Sequence, residues 1–151
     1  MAMVGMDVPT LFAAMAPAIE TVPGVAKAWS DPPNTPSANQ LPGVVLIWDT
    51  PNDITPSNMT GGSMWVARIK AQILLPRKGD TPKEFAKSRA LVTPIVDLFS
   101  VPVREVLPGL ERHVDRLVPT GSSGDILINY AGHVYMGAEI YFEAKFHRRK
   151  Q

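Results

Sequence analysis

The sequence predicts an α+β protein: an antiparallel sheet of about four strands with two helices packed on one face. Three observations predict it. Apolar residues recur at helical spacing in 7–22 and 81–99. Two long stretches, 64–75 and 135–147, alternate with a period of two. The βαβ rhythm and the GxGxxG fingerprint of a doubly wound sheet are missing, so the strands are expected to be antiparallel neighbours.

Each element follows from local chemistry. In DVPTLFAAMAPAIETV, Asp7 can cap, Pro9 suits a first turn, and Leu11, Met15, Ile19 and Val22 form one stripe. Pro17 is expected to kink or shorten that helix. Residues 30–42, SDPPNTPSANQLP, read as a polar connection without periodicity. GVVLIW, bounded by Pro42 and Pro51, has the β-branched content of a buried strand. Residues 49–63 read as a long polar loop. In the next strand Trp65, Ala67, Ile69, Ala71, Ile73 and Leu75 share one face, and Met64, Val66, Arg68, Lys70, Gln72 and Leu74 share the other. Thr81, Pro82 and Glu84 give a helix start with a capping box. Phe85, Val92 and Phe99, helped by Leu91, Ile95 and Leu98, supply its apolar stripe, and Pro94 predicts a kink that could divide it. Residues 100–124 read as irregular or short strand, and DILINY and YMGAEIYFEAKFHRR as two strands turned by YAGH, with Gly132 supplying a positive φ.

The 151 residues predict a single domain, 1–151, with long loops at about 30–42, 49–63 and 100–124. With 15 Lys and Arg against 14 Asp and Glu, nothing drives the whole molecule toward nucleic acid or membrane. The absence of cysteine excludes disulfides, thiolate nucleophiles and Cys-ligated metals. The N-terminus lacks a basic n-region and is interrupted by Asp7, Pro9 and Pro17, so it reads poorly as a signal peptide and synthesis inside the cell is expected. No apolar run approaches the roughly 18 residues that span a bilayer, and no membrane partner is expected.

No motif carries catalysis. His113, His133 and His147 fit no metal-binding spacing, PTGSSGD and TGGSM lack the nucleophile elbow and the P-loop, and Asp49 with Asp53 read as solvated turn residues. Neither an enzyme nor a cofactor is expected. Arg77, Lys78, Arg148, Arg149 and Lys150 mark basic strand ends that protect sheet edges. Met64, Val66 and Leu74 lie beside Arg68 and Lys70 on the face away from the core, the mixture an interface would bury.

This order of elements, with LPGVVLIW, MWVARIKAQILLP, TPKEFAKSRALVTPIVDLF and GAEIYFEAKF in sequence, resembles the tail terminator and tail-completion (neck) proteins of long-tailed bacteriophages. The resemblance implies a virion protein made in the host cytoplasm that forms a ring, commonly a hexamer. Such a ring caps the tail tube, stops its polymerisation and joins the tail to the head-side connector or stopper protein. It also implies that the loop after the first strand, here Asp49, Asn52, Asp53, Ile54, Asn58 and Met59, docks a partner ring. In such a ring Met64, Val66, Arg68, Lys70 and Lys145 would line the channel or a subunit interface, with DNA passing non-specifically. Two other readings are a tail-tube or head-tail connector subunit, and a small ligand-binding or enzymatic α+β module.

Overall fold

The computed structural model describes residues 8–56, 63–76, 81–112 and 114–148, with side chains placed for 8–49, 65–76, 82–112 and 114–146. The protein is α+β. In chain order the elements are α1 (Val8–Glu20), β1 (Lys27–Trp29), β2 (Gly43–Pro56), β3 (Ser63–Leu75), α2 (Thr81–Leu98), α3 (Val103–Val106), β4 (Arg116–Ser122), β5 (Ile126–Tyr130) and β6 (His133–Arg148). Among the described residues six strands form one sheet in the order β1-β2-β3-β6-β4, with β5 pairing β6 on the same side as β4. β1 runs parallel to β2, and every other pairing is antiparallel.

Two strands therefore join the expected four, and the sheet is mixed. β1 is three residues long, too short to show a period, and β4 hides its period behind Pro119 and a bulge between Pro119 and Gly121. The loop expected at 49–63 is also largely strand. β2 continues past Pro51 because the register shifts between Asp49 and Asp53, and a bulge is a place where a sheet tolerates proline. Residues 100–124 likewise hold α3, a 3₁₀ turn at Leu110–Arg112 and β4. Pro17 and Pro94 lie inside α1 and α2, each of which continues past its proline.

The helices cover one face of the sheet. Leu11, Met15 and Ile19 of α1, Leu91 and Ile95 of α2, and Phe99 just past its end pack on Ala67, Ile69, Ala71, Ile73, Ile140, Phe142, Ala144 and Phe146, all buried. Trp65 is half-buried at the rim of this core. Phe99 meets Phe142 edge-to-face with centroids 5.4 Å apart. Each such side chain contributes about 1.5 to 3 kcal/mol by leaving water. The buried stripe of α2 opens with Glu84 and Ser88 rather than Phe85, which is half-buried. Lys87 Nζ lies 3.7 Å from Glu84 Oε1, while Glu84 Oε2 is buried without a hydrogen-bond partner among the described residues.

A second apolar cluster lies on the opposite face. Val45, Leu74, Ile128 and Tyr135 are buried there, packed by Trp29, Leu41, Ile47, Ile126 and Tyr130. The proline-rich segment 30–42 returns the chain to this face: Leu41 packs into the cluster, and Tyr130 Oη donates a 2.5 Å hydrogen bond to the Pro33 carbonyl. Leu74 is thus fully buried and Val66 is 8% exposed, so the chain itself covers apolar atoms that the strand pattern alone would leave for a partner.

Candidate interaction surface

The remainder of that second face is a ladder of charged and polar side chains set by strand register. Asp49 stands opposite Arg68, and Arg68 opposite Glu143. Two residues along, Ile47 stands opposite Lys70 and Lys70 opposite Tyr141, and then Val45 opposite Gln72 and Gln72 opposite Glu139. Arg68 Nη1 lies 3.0 Å from Glu143 Oε2, and Lys70 Nζ lies 3.5 Å from Glu139 Oε2. Gln72 Nε2 donates to Glu139 Oε2 at 2.7 Å, and Tyr141 Oη donates to Glu139 Oε1 at 3.1 Å. The Ser123 hydroxyl accepts from the Glu139 amide at 2.9 Å, fixing β6 at this point. Glu139 thus gathers three side-chain donors in a partly buried setting, where hydrogen bonds to a charge are stronger than on open surface. Burial raises the Tyr141 hydroxyl pKa above its ordinary value, and the hydrogen bond to Glu139 and the charges of Glu139 and Asp49 push it the same way.

This arrangement alters the reading of the predicted residues. Arg68 and Lys70 do share the face, but carboxylates of β6 neutralise both, so this part of the surface is charge-balanced rather than cationic. Lys145 lies on the same face at the far end of the ladder, opposite Arg116 of β4 and beside the buried Val66. Met64 pairs with His147 in the backbone register. Asp49, Asn52, Asp53 and Ile54 belong to β2 instead of a docking loop, while Asn58 and Met59 lie outside the described residues. Arg77, Lys78, Arg149 and Lys150 also lie outside them, and Arg148 closes β6 opposite Ser63.

Glu139, Tyr141 and Glu143 were not singled out by sequence. The signal was present, because they alternate along GAEIYFEAKF as Arg68 and Lys70 do along MWVARIKAQILL. Only the β3–β6 register brings the two patterns together.

The clefts are mainly apolar. One of about 380 Å³ lies among Gly24, Leu41, Pro42, Leu75, Lys87 and Leu91. Another, of about 480 Å³, places Asp97 and Glu105 on its wall beside Ala18 and Val101. Among the described residues no group of three or more His, Asp or Glu side chains could hold a metal ion. No described helix is long and apolar enough to cross a membrane. Compared with known proteins, the chain matches no family model and no curated protein.

Proposed function

We propose that this chain is a structural virion protein of the tail terminator type. A ring of copies would cap the tail tube, stop its growth and present a different surface to the head-side connector. The observation that carries this reading is the face opposite the helices, a broad ladder in which Arg68–Glu143 and Lys70–Glu139 are paired beside a small apolar cluster. Such a face recognises by shape and by matched charge, as protein interfaces do. The element order that prompted the family resemblance supports the same reading: a helix, two paired strands, a second long helix and a long closing strand.

The mechanism is geometric. A closed ring satisfies its lateral surfaces among its own copies, and an axial surface that matches the tube on one side alone stops further stacking. Because carboxylates pair Arg68 and Lys70, a channel lined by this face attracts DNA weakly, with Lys145 and Arg116, among the described residues, as cations outside those pairs. The test is light scattering and negative-stain imaging of the purified chain, with and without tail-tube protein. Rings that sit on tube ends and halt elongation are expected, and a strict monomer that never caps tubes overturns the reading. The cleft beside Lys87 favours the ligand-binding alternative, which saturable binding of a small apolar molecule by the monomer would establish.

A further inference from the structure

The edges of the sheet differ in how they are guarded. A sheet edge presents unpaired backbone N–H and C=O groups, and proline, bulges, charge and short length are the usual means of closing it to further strands. β1 is three residues long, its Ala28 amide donates to Glu20 Oε1 at 3.1 Å, and Lys27 Nζ lies 3.6 Å from the same oxygen. Beyond Val45, β2 is interrupted by Pro51 and by the register shift between Asp49 and Asp53. β4 carries Arg116, Pro119 and a bulge between Pro119 and Gly121.

β5 has none of these devices. Ile126–Tyr130 contains no proline, no charged residue and no register shift, and its five residues are an ordinary strand length. Tyr130 and His133 close a two-residue turn, and the closing pair of such a hairpin exchanges both backbone hydrogen bonds. Bonded and non-bonded pairs alternate along an antiparallel ladder, so Ile128 and Ile126 also turn their backbone groups toward β6. Leu127 and Asn129 therefore turn theirs outward, and among the described residues no strand lies beyond them. Side chains mark the same place. Leu127 is 55% exposed, and Val134, its diagonal neighbour across the pair, is 41% exposed. On the opposite face Ile126 and Tyr130 are half-buried at the rim of the cluster around Ile128.

We propose that the outer edge of β5 docks an extended segment of a different protein, which adds a strand to the sheet. Only an extended main chain answers the outward donors and acceptors of Leu127 and Asn129 together, and the side chains select which one. The segment is short and uncharged, with apolar residues opposite Ile126, Leu127 and Ile128, where it covers Leu127 on one face and extends the second apolar cluster on the other. A second copy of this chain fits less well. The antiparallel self-pairing that engages all of β5 is centred on Ile128, and it sets Leu127 beside the polar Asn129 of the other copy. This site is independent of the tail reading, because the edge belongs to the single chain.

The probe is a set of short, terminally blocked peptides rich in Val, Ile and Thr, flanked by lysine for solubility and carrying a fluorophore. Anisotropy with the full chain should show saturable binding. Hydrogen exchange should find the Leu127 and Asn129 amides open in the free protein and protected in the complex. N-methylation of alternate peptide amides should abolish binding when it falls on the pairing edge and spare it on the other. Asn129→Pro removes an outward donor that the β5–β6 ladder does not use, and Leu127→Lys charges the edge. Each should keep the circular dichroism of the parent and weaken binding roughly ten-fold or more. Equal binding by peptides methylated on either edge, undiminished binding by both variants, or no saturable binding by any unmethylated peptide overturns the proposal. Protection of both amides in the free monomer does the same. So does a dimer in light scattering that Asn129→Pro dissolves, which would give the edge to a second copy.

Discussion

Replacing Gly137 by alanine puts a methyl group where β6 has no room for one. Gly137 stands opposite Leu74 of β3, and a Cβ built there would come within 2.9 Å of the Ile73 carbonyl carbon and closer still to its oxygen. The obstacle is backbone, so no rotamer change relieves it, and the Ile128 side chain closes the approach at 3.5 Å. β3 or β6 must shift, lengthening one or two ladder hydrogen bonds worth about 1 kcal/mol each. Overpacking adds about 1 to 3 kcal/mol, and the lower chain entropy of alanine returns roughly 0.5 to 1 kcal/mol. The net expectation is a loss of about 1 to 4.5 kcal/mol, which for a chain of this size lowers the melting temperature by roughly 2 to 18 °C. Urea and thermal unfolding followed by circular dichroism measure it. Gly121→Ala is the control, because its added methyl would meet only Tyr141 Cδ2 at 3.9 Å, so the entropy gain stands alone and stability should rise by up to roughly 0.5 to 1 kcal/mol. If Gly137→Ala proves as stable as the control, the close approach of β6 to β3 described here is wrong.

Further outcomes follow from other sites. Ala131 holds φ 51° beside Gly132 at φ 82° in a two-residue turn, so Ala131→Asn should stabilise the hairpin by about 0.5 to 1 kcal/mol in urea unfolding. Glu139→Ala leaves Lys70, Gln72 and Tyr141 without their acceptor and should cost about 2 to 3 kcal/mol in the same assay, whereas Glu139→Gln should cost less. The raised pKa of Tyr141 means that its stabilising contribution is complete below the ordinary value of about 10 and is lost as pH rises through the folded-state value. Stability measured from pH 8 to 11 should therefore fall at the alkaline end, and Tyr141→Phe should flatten that fall. Arg89 pairs with Asp125 while its side chain is 68% exposed, so Asp125→Asn should change stability by no more than about 1 kcal/mol and its effect should fade in high salt.

Much of this was legible in the chain. The period of two in 64–75 assigned Ala67, Ile69, Ala71 and Ile73 to the helix-covered core, where each is buried, and YAGH supplied the turn between β5 and β6. The candidate surface was half legible. Arg68, Lys70 and Lys145 were placed on one face correctly, but their carboxylate partners depend on pairing between residues some 70 positions apart, and a strand pattern carries no register. Proline misled the reading at Pro51, where a bulge kept the strand going.

Sequence by itself determined which side chains share a face, where α1, α2, β3 and β6 lie, and that no disulfide or Cys-ligated metal can form in a chain without cysteine. These are properties of neighbours along the chain, fixed by the periods of helix and strand. Tertiary structure decided the rest. It set Glu139 and Glu143 against Lys70 and Arg68, brought segment 30–42 back over Leu74, and left Trp48 and Val101 exposed at opposite edges of one sheet. Charge balance and exposure depend on what lies across the sheet, and that is fixed only when distant strands find their register.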